Sequence, residues 1–234
     1  MNMIVAAHIG IGIRGVEGQQ AARSSDYAIG EFKFLKNLLF VHGRECYRRN
    51  THLVLFNFFK NLVCVLPQFF YGFYNFFSGT SLYDSVLYQF FNIFFVSVPI
   101  VIYATLDKQH SANILLDTPK LFEPGMKDML FNTLSFWRWV ADAVFQSAVI
   151  CFFSYFAFSV APIEMDGTTP GFWLSGIHIF TMVVIICNLK VLLIASNFSI
   201  LLLIMTFGSI IFYLAFFGME SLFPRLDIYG MFSE

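Results

Sequence analysis

Residues 50–74 read NTHLVLFNFFKNLVCVLPQFFYGFY, an apolar run long enough to cross a bilayer, with a lysine inside it. About 20 mostly apolar residues span the hydrocarbon core at 1.5 Å of rise per helical residue. Lys60 lies several residues in from an entry near Thr51 to Leu53, so its amine starts on the order of 10 Å deep. A cation at mid-membrane costs about 2.5–3.5 kcal/mol on insertion scales, less where it snorkels. Helical steps of three and four set Asn57, Lys60, Asn61, Cys64 and Gln68 in one polar stripe. Such a stripe is expected to face other helices or a wet cavity rather than lipid. Two readings stay open for it. The amides are interhelical glue, worth about 0.6 kcal/mol apiece, or they line a path for something polar. The lysine either serves that path or snorkels to the near surface. Pro67 removes one backbone hydrogen bond, which predicts a bend where the stripe ends.

The whole composition agrees with a membrane chain. Of 234 residues, 58% are apolar and 12% charged, against about 25% charged in soluble domains. A net charge of −1 leaves no basic patch for a nucleic acid. Cys46, Cys64, Cys151 and Cys187 show no C-x-x-C spacing and are expected to be packed thiols, neither disulfides nor zinc ligands. MNMIVAAHIGIGIRG has no basic residues ahead of its short apolar run, unlike a signal peptide.

Outward from the first span, four further apolar runs follow. The expected spans are 53–74, 86–104, 136–160, 172–193 and 198–218, giving an all-α, polytopic transmembrane helix bundle of five spans. Residues 31–50, EFKFLKNLLFVHGRECYRRN, carry five basic residues immediately before the first span and predict a helical stalk over 31–52, with Gly43 a weak point. Loop charge sets the orientation. With the N-terminus cytosolic, the inner segments hold twelve of the fourteen Lys and Arg, the exceptions being Arg225 and Lys60. An odd number of spans then leaves the tail, 219–234, on the exoplasmic side. Trp137, Trp139 and Trp173 fall at the expected interfaces.

Smaller features carry expectations of their own. Val5 to Ile13 predicts a short buried strand. Gly10, Gly12 and Gly15 spell G-x-G-x-x-G, but the chain starts almost at the motif and lacks the βαβ unit a dinucleotide needs. Gln89 and Asn92 share a face of the second span, ahead of Ser97 and Pro99, where a break exposing carbonyls or a simple kink is expected. Arg138 and Asp142, four apart, are expected to pair. His178 suits a packed or hydrogen-bonded histidine, and Lys190 is expected to snorkel. No Walker loop, H-E-x-x-H or G-x-S-x-G is present. No catalytic, cofactor or metal residue is assigned in this chain.

In order along the chain, NMIVAAHIGIGIRGVEGQQAARSSDYAIGEFKFLKNLLFVHGR, FNFFKN (Phe56 to Asn61), FSGTSLYDS (Phe77 to Ser85), NIFFVSVP (Asn92 to Pro99), LDTPKLFEPGMKDMLFN and CNLK (Cys187 to Lys190) resemble the C-terminal part of the phospholipid flippases, the type-IV P-type ATPases. Val96 stands where threonine is common, and Glu45–Cys46 replace a Trp-Ser pair. The resemblance implies that residues 1–30 are a short remnant of an α/β phosphorylation domain, 31–52 its cytosolic stalk and 53–218 transmembrane helices five to nine. It implies an ATP-driven pump moving phospholipid from the outer to the cytosolic leaflet, with ATP and Mg²⁺ used by the full-length member. The phosphorylated D-K-T-G aspartate and the Gly-Asp-Gly-x-Asn-Asp segment are absent from the sequence, so the chain is expected to be inactive without the missing N-terminal ATPase portion. Lys60, Asn61 and Asn92, with Asn57 on the same stripe, fall around the headgroup path, and energy coupling would run along the stalk. Implied partners are phospholipid, the membrane and a two-span accessory subunit. The alternative is a truncated, non-enzymatic paralogue acting as a membrane interaction or regulatory protein.

Overall fold

A computed structural model describes residues 2–15, 19–160 and 172–223. The expected exoplasmic loop 161–171 and most of the tail lie outside those residues. The chain forms two compact units, one of residues 1–48 and 108–130, the other of 49–107 and 131–234.

In the first unit a helix, Asn2–Ala6, precedes two short parallel strands, β1 (Ile11–Ile13) and β2 (Tyr27–Ile29), with Ile11 opposite Tyr27. The expected strand over Val5 to Ile13 is therefore cut to its last three residues. Its partner is only three residues long, and a strand without a neighbour leaves its backbone groups unmet. Gly12 lies within β1, and a Cβ there would stand 2.6 Å from the Ala21 carbonyl oxygen. That glycine serves close packing against the helix Gln20–Arg23, not the turn after a strand that a phosphate requires. Asp26 closes the unit by accepting the Gly10 amide at 2.7 Å.

Phe34–Tyr74 is helical without interruption, but Leu38–Gly43 winds as a π-helix. The wider turn ends at Gly43, so the weak point relaxes the winding without breaking the helix. Beside it the loop 108–130 is held by Arg44, whose Nε donates to the Leu121 carbonyl at 2.8 Å and whose Nη2 donates to Gln109 at 2.7 Å. Glu45, buried, takes both Arg44 (2.6 Å) and Arg48 (2.9 Å). Charges so buried persist only when paired.

Among the described residues five helices are long and apolar enough to cross a membrane: Phe34–Tyr74, Ser85–Leu106, Thr133–Phe156, Phe172–Ile194 and Ile200–Glu220. They are called here the first to fifth spans. In the second unit Phe56, Phe59, Phe91, Phe95, Phe180 and Tyr213 form the centre of the core. Phe95 meets the Tyr213 ring at 5.2 Å, and Phe180 meets Phe91 at 5.7 Å. Within lipid these rings gain little from leaving their surroundings, because lipid tails are as apolar as they are. Packing and interhelical hydrogen bonds hold such helices together. Phe152, Phe153, Phe156, Ile204, Phe207 and Ile211 are exposed on the unit's surface, as side chains that meet acyl chains can be.

Three polar devices tie the spans together. Arg49 donates to the Ala104 and Thr105 carbonyls, at 3.2 and 2.7 Å, near the end of the second span, where a cation also meets the negative end of the helix dipole. Asp107, directly after that end, accepts the Ser196 and Asn197 amides at 3.1 and 2.9 Å, ordering the turn between the fourth and fifth spans. Gln68 bonds both ways with the loop after the first span, donating to Thr80 O (3.0 Å) and accepting Leu82 N (2.6 Å). Gln68 thus acts as a loop anchor.

One expected pairing is corrected. Asp142 does not take Arg138, which is exposed; it takes Lys190 at 2.6 Å and Gln146 at 2.9 Å. Lys190 in turn is held by that carboxylate. Its ammonium sits 4.9 Å from the Trp139 ring centre and 5.1 Å from that of Phe59. An i, i+4 pair offers only a few tenths of a kcal/mol, whereas a half-buried carboxylate gains more from an ammonium caged by aromatic faces.

Candidate functional site

Lys60 of the first span and Ser97 of the second meet at a defect in the second span. Ser85–Phe90 is α-helical, Phe91–Phe95 widens into a π-helix, and Val96 leaves helical geometry at φ −130° before Ser97–Leu106 resumes. Pro99 explains the place of the break. It has no amide to give the carbonyl four residues back, so Phe95 O is freed. In a membrane a freed carbonyl must find a donor. It finds two: Asn188 Nδ2 at 2.9 Å and Ser209 Oγ at 2.5 Å. Ser209 also reaches Phe94 O at 3.2 Å. The Asn92 carbonyl accepts the Ser97 hydroxyl.

Lys60 comes to the other side of this defect. It is 7% exposed, and its ammonium donates to Ser97 Oγ at 3.3 Å. Among the described residues its hydrogen bond is to that neutral hydroxyl and its ion-pair partner is absent. The first span places it there because Phe56, Phe59, Val63 and Cys64, all buried, turn the same arc of helix into the core. Asn92 joins Lys60 only through its backbone, by way of Ser97; its carboxamide is exposed. Asn57 and Asn61 are exposed on the unit's surface as well. Their carboxamides make no hydrogen bond among the described residues. A cleft of about 580 Å³ begins one turn further along, lined by Cys64, Gln68, Ser81, Tyr83, Tyr88 and Gln89. A buried ammonium at a break, on the same two helices as three exposed carboxamides, can bind a phosphate or another oxygen-rich group by charge-assisted hydrogen bonds.

Sequence reasoning misses Asn188 and Ser209. The signal available is indirect: Pro99 predicts an orphan carbonyl at Phe95, and apolar helices carrying a single amide or hydroxyl are where its donor is to be sought. His178 bonds Ser154 at 3.1 Å, in keeping with a packed histidine. The four cysteines are not joined in disulfides, Cys46 being exposed and Cys64 and Cys187 buried. No group of three or more His, Cys, Asp or Glu among the described residues could hold a metal. The D-K-T-G and Gly-Asp-Gly-x-Asn-Asp motifs do not occur in the sequence either.

Comparison with known proteins gives a consistent answer. A family model described as "Phospholipid-translocating P-type ATPase C-terminal" matches residues 22–234. The Saccharomyces cerevisiae phospholipid-transporting ATPase DRS2 is 37% identical over 230 residues, covering 97% of this chain and 17% of that protein. The human phospholipid-transporting ATPase IG is 38% identical over 216 residues, covering 92% and 19%. The Xenopus tropicalis phospholipid-transporting ATPase IC is 35% identical over 236 residues, covering 98% and 19%. The chain thus spans less than a fifth of the length of each of these relatives. It belongs to the phospholipid-translocating P-type ATPases, within their C-terminal membrane region.

Proposed function

We propose that this chain is the membrane part of an ATP-driven phospholipid translocase that moves lipid from the outer to the cytosolic leaflet, with the N-terminus in the cytosol. Lys60, Asn61, Asn92 and Asn57 line the route of the headgroup, while the acyl tails stay in the bilayer. The observation that carries this reading is the Lys60 ammonium, almost fully buried and bonded to one hydroxyl at 3.3 Å. A lysine kept for packing alone would be satisfied by a carboxylate, as Lys190 is by Asp142. An ammonium with spare donors retains them for a ligand that comes and goes, and phosphate oxygens fit that chemistry.

The chain contributes no nucleophile. Nucleotide chemistry belongs to machinery that a complete pump supplies together with ATP and Mg²⁺, and a two-span accessory subunit is a further expected partner. Lys60 acts on the lipid side, holding and releasing the headgroup beside the break at Val96.

In a complete pump carrying these helices, Lys60→Ala is expected to cut phospholipid transport at least tenfold, while Lys36→Ala, on the exposed stalk surface, leaves it near the parent's. A fluorescent-lipid uptake assay reads both. Equal transport by the two variants would remove Lys60 from the mechanism.

A further inference from the structure

The broken segment of the second span is held from three sides. Lys60 of the first span reaches it through Ser97, at 3.3 Å. Asn188 of the fourth span and Ser209 of the fifth reach it at the Phe95 carbonyl, at 2.9 and 2.5 Å. The two ends of the grip differ in kind. At Phe95 two neutral donors converge on one oxygen, and the single Ser209 hydroxyl hydrogen is shared with Phe94 O at the longer distance of 3.2 Å. Asn188, with no exposed surface, spends its second amide hydrogen on Val184 O of its own helix at 2.9 Å. It is pinned at both hydrogens. Among the described residues its Oδ1 is buried with no partner. Leucine would fill such a place without leaving an acceptor unmet, so packing does not account for the amide. At Ser97, by contrast, the hydrogen bond to the first span among the described residues is a single long one from a flexible lysine.

We propose that Asn188 and Ser209 are positioning residues. They fix the segment Phe91 to Ser97 from behind and so set where Asn92 and Ser97 stand relative to the Lys60 ammonium. With the bracket intact, one end of the segment is rigid and only the Lys60 end is free to yield when a headgroup takes over the ammonium's donors. Without it, Phe95 O must seek another donor, the break shifts along the helix, and the headgroup loses its aligned partners. The inference rests on the lipid route proposed for Lys60.

The test uses a complete pump carrying these helices, with ATP hydrolysis titrated by phosphatidylserine, phosphatidylethanolamine and phosphatidylcholine in mixed micelles. Ser209→Ala removes one donor and is expected to raise the KM for the activating lipid roughly three- to tenfold, the worth of about one hydrogen bond. Phosphoenzyme formed from ATP should remain at the parent's level. Ser209→Thr, which keeps the hydroxyl, should restore the KM, and Asn188→Leu should shift it in the same direction as Ser209→Ala. An unchanged lipid KM in Ser209→Ala overturns the bracket, as does a fall in kcat and phosphoenzyme together with no change in KM. If Asn188→Leu does not accumulate, the Ser209 pair decides alone. Lys60→Ala run alongside separates the two ideas. An unaltered lipid dependence there with a raised KM in Ser209→Ala sinks the Lys60 route, and the reverse pattern sinks the bracket.

Discussion

Two lysines within apolar helices show how differently the same side chain is accommodated. Lys190 has a carboxylate at 2.6 Å and two aromatic faces; Lys60 has a hydroxyl. Removing one member of a buried ion pair strands the other, at about 3–5 kcal/mol when fully buried. The Asp142 side chain keeps 34% of its exposure and Lys190 18%, so a smaller loss is expected, about 1–2 kcal/mol once screening is allowed for. Lys190→Met should lower the melting temperature in detergent, and Asp142→Leu added to it should recover most of the loss. A double variant no more stable than Lys190→Met would show that Asp142 is not what the lysine satisfies. The sequence displayed both lysines equally. Which had an acid nearby depended on residues 48 positions apart, and the i, i+4 neighbour Arg138 was a misleading candidate.

At the scale of elements, the loop after the first span is a fixed part of the bundle. The helix closes through Phe76 and Phe77, both at positive φ (52° and 55°), a conformation that bulky residues rarely adopt. The loop is then pinned by Gln68 at Thr80 and Leu82, with Leu82 buried. From the other side Gly176 of the fourth span lets the Leu82 carbonyl come so close that a Cβ would collide with it. Asp84 ends the loop by capping the second span, accepting the Val86 and Leu87 amides at 2.8 and 3.1 Å, a cap worth about 1 kcal/mol. Gln68→Leu should speed amide hydrogen exchange at Leu82 by about tenfold, as loss of roughly one hydrogen bond implies, and Gly176→Ala should speed it further by displacing the backbone. Unchanged protection in both variants would refute the anchoring. The sequence showed a glutamine at helical spacing and placed it with the stripe. Its rotation relative to Lys60 was right, but the partner that claimed it lies in a loop whose path no periodicity records.

For the molecule as a whole, the charge pattern and the apolar runs lead to the same topology. Under the proposed orientation the exposed Cys46 lies on the cytosolic side. In sealed cells an impermeant maleimide should label it only after the membrane is opened, while buried Cys64 and Cys187 stay unlabelled until denaturation. Labelling of Cys46 in intact cells would reverse the orientation.

Five long apolar runs, their order and the quoted motifs were enough to establish a membrane helix bundle and its family, because a bilayer demands about 20 apolar residues per span whatever packs against them. The sequence also pointed to Pro99 as the place of either a break exposing carbonyls or a simple kink, since a proline removes a donor wherever it stands; the structure shows the freed Phe95 carbonyl. Tertiary structure alone decided who answers it. Asn188 and Ser209 are 93 and 114 residues from Phe95, and Lys60 is 37 from Ser97. Hydrogen bonds act over about 3 Å, so only the packing of helices could bring those donors within range of the break.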